Sequence, residues 1–271
     1  MVTIAADAAL RLARYKRRAH FTELVHRRDN SEITSWPTFH AAMADQPLLA
    51  RLDDYRDALL IAGCDWSAVT AITHLFKRLP GFADSSRSHD DELAGALLLA
   101  GLRPPAASGR ACFQTTYLGE RYREYFAHEH FKLVWLVREP RAAVRSLLSR
   151  RERAPAPRTA SASEGQGMSR LEKACAAYVA SIRQTLELKE RLGERVAVVD
   201  YDDLSADRNR LLPALCRFAS VGCNASLLRH LHGKSVRKGA LASFEAAIVD
   251  QLALPAYRRA RSAATLSVAH G

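Results

Sequence analysis

Four short apolar runs set what this chain can fold into: ALLIA (58–62), ACFQT (111–115), FKLVWLV (131–137) and VAVVD (196–200). Each is largely aliphatic or β-branched and is bounded by charge or glycine, the pattern of a strand covered on both faces. Helical spacing fills the stretches between them. Ala71, Ile72, Leu75, Phe76 and Leu79 share one helix face after Gly63. Leu171, Ala174, Cys175, Tyr178, Val179, Ile182 and Leu186 form a second stripe, and Leu211, Leu212, Leu215, Cys216, Phe218 and Ala219 a third. Strand–helix alternation over crossovers of this length predicts an α/β fold of three layers, α/β/α, around a central, mostly parallel sheet. Sheets of this kind bind ligands outside the carboxyl ends of their strands, so the turns there are the place to look for chemistry.

Residues 1–55 read as a basic helical lead-in packed on the core, and residues 56–271 as the α/β domain. Within it the Pro-, Ala-, Ser- and Gly-rich stretch 151–168 is expected to be a mobile loop, at the position of a lid or substrate gate. Lys+Arg 40 against Asp+Glu 29 leaves a net charge of +11, which favours anionic partners. Most of the basic residues are arginine, whose planar fork suits phosphate and sulfate. No apolar run is long enough to span a membrane, and the first residues lack the apolar core of a signal peptide. The cysteines at 64, 112, 175, 216 and 223 are odd in number and form no C-x-x-C pair. That argues against a disulfide framework or a structural zinc site and for a reducing compartment, with the cytoplasm as the expected location. No residue cluster calls for a metal.

Three turns have the makings of an anion site. The first run ends at Gly63 and passes through Cys-Asp-Trp-Ser-Ala-Val-Thr into a helix, where unpaired backbone N–H groups and the helix dipole favour negative charge. Ser67 and Thr70 add hydroxyls, but the Gly-Lys-Ser/Thr ending of a nucleotide-triphosphatase loop is absent. The third run is followed by Arg138-Glu-Pro-Arg-Ala-Ala-Val-Arg-Ser146, with Pro140 suited to a first helical turn and Arg138 at the carboxyl end of the strand. An arginine fork with a serine hydroxyl makes a compact phosphate clamp. Late in the chain, Lys234-Ser-Val-Arg-Lys-Gly239 is a dense basic cluster with glycines that let backbone approach an anion.

In this order the three turns resemble those of the sulfotransferases that use 3′-phosphoadenosine-5′-phosphosulfate (PAPS). In that family G-x-x-R/K-S-G-T-T binds the 5′-phosphosulfate, R-x-P-x(5)-S binds the 3′-phosphate, and a distal R-K-G returns to it. The matching segments here are Gly63–Thr70, Arg138–Ser146 and Arg237–Gly239, with VAVVDYDDL (196–204) similar to the family's Y-E-D-L strand end and CFQTTYLGERYREYF (112–126) similar to a stretch of one bacterial group. The resemblance covers about residues 58–240. It implies a P-loop-like fold and PAPS as co-substrate, with 3′,5′-adenosine bisphosphate (PAP) as product. It also implies a nucleotide site of Gly63, Trp66, Ser67, Ala68, Val69, Thr70, Arg138, Ser146, Tyr201, Arg237, Lys238 and Gly239. The expected activity is in-line sulfuryl transfer to a hydroxyl or amine of a small molecule or glycan.

The chain departs from the family at two places. Trp66 stands where the first motif has Arg or Lys, Ala68 where it has Gly, and Val69 where it has its first Thr. A lost donor to the bridging oxygen costs about 10²–10³ in rate, so Lys77, Arg78 or Arg87 has to reach in, or turnover is impaired. The family's base, a His after the second strand, is replaced by Gln114-Thr-Thr116. A hydroxyl is no base at neutral pH. Other members of the family carry a carboxylate after the first helix, where this chain has Asp84, His89, Asp90, Asp91 and Glu92, and the resemblance so points to Glu92 or His89 as the candidate base. Acids there also suit a helix N-terminus. Two rivals follow: a pseudoenzyme that binds PAPS or PAP without transfer, and a nucleic-acid-binding protein suggested by the charge and the stretch Arg11–Arg28. The latter lacks a stacking pattern of aromatics.

Overall fold

The computed structural model describes residues 33, 35–64, 69–79, 82, 91–104, 110–151, 167–223 and 241–264. Ser35 opens α1 (Trp36–Ala42) through a capping box with Thr38. β1 (Ala58–Gly63) is followed by α2 (Val69–Lys77) and α3 (Asp91–Leu99). Next come β2 (Cys112–Gln114), a 3₁₀ segment (Thr116–Ala127) kinked at Gly119, and β3 (Phe131–Val137). Helices α4 (Pro140–Arg151) and α5 (Arg170–Leu192) lead to β4 (Val196–Asp200). The short α6 (Tyr201–Ala206), α7 (Arg208–Phe218), α8 (Ser243–Leu252) and α9 (Leu254–Ser262) complete the order.

The described strands form one parallel sheet in the order β2-β1-β3-β4. Alternate side chains along a strand go to opposite faces. Ala58, Leu60, Ala62, Phe113, Leu133, Trp135, Val137, Val196 and Val198 join α1, α3, α5, α8 and α9 in one core. Leu59, Ile61, Cys112, Val134, Leu136, Ala197 and Val199 meet α2 and α7 in the other. Three layers result. Because both faces are buried, these strands show continuous apolar runs rather than alternation. Phe39, Met43, Leu48, Leu49 and Leu52 enter the first core, so residues 35–55 pack directly on the α/β body.

Boundaries shift slightly from those expected. β1 extends to Gly63, while β2 is shorter than the run that announced it. In α2, Ala71 faces solvent, and its expected place in the stripe goes to Thr73. That threonine is fully buried because its hydroxyl donates to the Val69 carbonyl at 2.9 Å. The five cysteines are free thiols, and burial pushes Cys112 up to about 12. Among the described residues no helix is long and apolar enough to cross a membrane, and no group of acidic, His and Cys side chains is placed to hold a metal. The stretch 152–166 lies outside the described residues.

Candidate active site

Parallel strands deliver their carboxyl ends to one edge of the sheet. The register sets Ile61 beside Gln114, Gly63 beside Leu136 and Val137 beside Asp200. Along that edge lie Gln114–Thr116, then Gly63, then Arg138, then Asp200–Tyr201. Neighbouring strands are about 4.8 Å apart, which separates the β2 and β3 exits by roughly 10 Å.

At the β3 exit, backbone contacts fix Arg138 on both sides. Its carbonyl accepts the Tyr178 hydroxyl at 2.7 Å, and the next amide, Glu139 N–H, donates to Asp202 at 2.9 Å. The Glu139 carboxylate in turn accepts the Arg141 and Ala142 amides at 3.0 and 2.8 Å, capping α4 ahead of Pro140. The guanidinium of Arg138 lies 5.6 Å from the Tyr201 ring centroid, a cation–π arrangement that orients the fork. Ser146 sits half-buried two turns into α4.

Beneath Tyr201, the fully buried Asp200 caps α6 by accepting the Asp202 and Asp203 amides at 2.9 and 3.2 Å, and it accepts the Tyr257 hydroxyl from α9. Burial raises the Asp200 carboxyl above the usual aspartate value, and the Tyr257 bond partly opposes that rise. Tyr257→Phe therefore removes a donor that favours the ionised form. The expected loss is about 1–3 kcal/mol of stability near neutral pH. The loss is present above the folded-state value of Asp200 and disappears as pH falls through it, because the neutral acid does not need the donor. Urea denaturation of both proteins at neutral and mildly acidic pH checks this, and a deficit that does not change with pH counts against it.

At the β2 exit stands Glu92, in the first turn of α3. Its carboxylate accepts Gln114 Nε2 at 2.8 Å, the Tyr117 amide at 3.0 Å and the Thr116 hydroxyl. A side chain from α3 is thus brought onto the end of β2, and the segment Gln114–Tyr117 holds its carboxylate. His89 lies outside the described residues, as do Trp66, Ser67, Ala68, Arg237, Lys238 and Gly239.

At the β1 exit, Gly63 is in place and Val69 and Thr70 open α2. The Val69 side chain is buried in the core on that face, so any contact it makes to an anion runs through its backbone, whereas Thr70 is exposed. Two cations considered as replacements for the missing arginine are in the wrong place. Lys77 ends α2 and Arg78 follows it, so both lie about 12 Å along the helix from its start. Lys77 acts electrostatically on Cys112, at the amino end of β2. Neither serves the carboxyl edge.

No protein-family model matches the chain, and no curated protein matches it in sequence. Solved structures do match. The sulfotransferase STF9 from Mycobacterium avium aligns with a TM-score of 0.54 at 12% identity, covering 85% of this chain and 82% of that one. The sulfotransferase domain from the Synechococcus PCC 7002 olefin synthase aligns with a TM-score of 0.51 at 16% identity, covering 77% and 94%. The fold is the sulfotransferase fold. Glu92, Gly63, Arg138 and Tyr201 lie along one edge of the sheet. Tyr178, Asp202 and Tyr257 were not anticipated as parts of the site. Tyr178 had appeared only as one member of a helical stripe. A tyrosine among alanines and leucines carries a polar tip that needs a partner, and that was the available signal.

Proposed function

We propose that this chain is a PAPS-dependent sulfotransferase, acting by in-line transfer on a hydroxyl or amine of a small-molecule or glycan acceptor. The supporting observation is the order of groups along the carboxyl edge: a held carboxylate at β2, the Gly63 turn at β1, and a stacked arginine at β3 beside Tyr201. An in-line transfer needs base and acceptor on one side of the sulfuryl group and the nucleotide on the other, a linear order of the same sense.

In this reading Glu92 takes the acceptor proton as the acceptor oxygen bonds to sulfur. The bond from sulfur to the 5′-phosphate oxygen breaks, and PAP departs. Arg138 and Ser146 hold the 3′-phosphate, a role the resemblance also gives Arg237–Gly239, and the turn that leaves Gly63 for Thr70 takes the sulfuryl end. The +11 charge favours capture of the anionic donor.

A second reading has a specific basis. Trp66 supplies no charge to the bridging oxygen, and Lys77 and Arg78 lie at the far end of α2, so the site is also suited to binding PAPS or PAP with little turnover. Calorimetric titration with PAP and AMP, alongside transfer of radiolabelled sulfate from PAPS to an acceptor panel, separates the cases. Binding of PAP at about micromolar Kd, well ahead of AMP, is the expected result. Binding without transfer selects the second reading. Folded protein that binds no PAP removes both.

A further inference from the structure

The β2 end of the edge carries an aromatic cluster that the donor site does not use. Thr116 and Tyr117 both bond Glu92, so the Tyr117 ring begins one residue from the carboxylate. Helix α1 lies against that ring. Trp36 is 5.5 Å from Tyr117 between ring centroids, tilted at 34°, and 5.7 Å from His40, stacked at 29°. Phe39 meets Tyr117 edge-on at 5.8 Å and Trp36 edge-on at 5.6 Å. Their exposure is graded. Phe39 is fully buried and anchors the group, Trp36 and Tyr117 are half-buried, and His40 reaches solvent.

Packing alone does not account for the cluster. The Tyr117 hydroxyl is buried and has no hydrogen-bond partner among the described residues. Leucine or phenylalanine would fill the same space without that unsatisfied group. The arrangement is an angled set of rings with a waiting hydroxyl, next to a carboxylate that accepts from Gln114, Thr116 and Tyr117 among the described residues. Aromatic faces of this kind favour a planar aromatic ring over an aliphatic one.

We propose that the acceptor is an aryl hydroxyl whose ring seats against Trp36 and Tyr117, with its oxygen toward Glu92. The proposal rests on the sulfotransferase reading and narrows the acceptor class. The aryl O–H proton passes to Glu92, the aryl oxygen bonds to sulfur, and the bond from sulfur to the 5′-phosphate oxygen breaks to release PAP. The Tyr117 hydroxyl gains a partner in a polar atom of the acceptor. Partial burial, and then the nearby Arg121, hold His40 below the usual histidine value.

The test titrates PAP-loaded protein with 2-naphthol, with decahydro-2-naphthol as its saturated analogue, and with methyl β-glucoside. 2-Naphthol is expected to bind roughly tenfold tighter than its saturated analogue, the scale of an aromatic contact. Trp36→Leu and Tyr117→Leu should abolish that preference while PAP affinity holds. Trp36→Phe, which keeps a ring, should retain most of it and shows that loss in Trp36→Leu is not misfolding. Equal binding of the saturated analogue, preference for the glucoside, or an unchanged preference in Trp36→Leu overturns the proposal. If the native chain binds no PAP, the sulfotransferase reading fails, and 2-naphthol titrated alone still reports on the rings.

Discussion

Arg138→Ala is expected to weaken PAP binding by about 100-fold while leaving AMP binding nearly unchanged. Two charge-assisted hydrogen bonds from a guanidinium fork to a phosphate contribute about 3 kcal/mol together, and each 1.4 kcal/mol is a factor of ten. The selectivity follows from position. Arg138 leaves β3 on the far side of the β1 turn from Glu92, so in the proposed function the 3′-phosphate end, and not the sulfuryl end, falls to it. Its carbonyl is held by Tyr178, the amide after it by Asp202, and its guanidinium lies over Tyr201. Those contacts limit the conformations the side chain must give up on binding, which strengthens the clamp. Calorimetry with both nucleotides reads the result. Equal losses for PAP and AMP would place Arg138 elsewhere on the ligand, and no loss would remove it from the site.

Glu92→Gln is expected to lower turnover by about 10²–10⁴, the usual contribution of a positioned base, with PAP affinity unchanged. The substitution keeps shape and most of the hydrogen bonds. The glutamine oxygen still accepts from the Tyr117 amide and the Thr116 hydroxyl. Its new NH₂ group faces the Gln114 amide, which can turn its own oxygen inward. Folding should therefore survive, and single-turnover sulfate transfer at saturating PAPS isolates the chemical step. If transfer persists at the native rate, Glu92 only braces Gln114–Thr116 and the base lies in another residue.

Much of the scaffold was legible beforehand, for a physical reason. The expected bounds of β3 and β4 coincide with those observed, because a parallel strand covered on both faces is written as an unbroken apolar run. β2 is only three residues long, so its run blurred into the turn that follows. The helical stripes predicted burial well, failing at Ala71, where a small side chain at a stripe position has too little apolar surface to select the inward face. Arg138 was legible because strand, arginine and proline are adjacent in sequence.

The contacts that build the site from distant segments were not legible. Glu92 was a candidate base, but nothing in its own segment says that α3 carries it to Gln114 and Thr116. Tyr178 lies 40 residues from the carbonyl it holds, and Tyr257 lies 57 from Asp200. Lys77 and Arg78 were plausible helpers by composition and were removed by the direction of one helix. What the sequence alone determined, then, was the local part: which segments are strands and helices, that the sheet is parallel, and which turns leave its carboxyl edge. These follow from periodicity and backbone sterics within a few residues. Only the tertiary structure decided which side chains meet at that edge, because strand order, register and helix direction are set by the packing of both sheet faces at once.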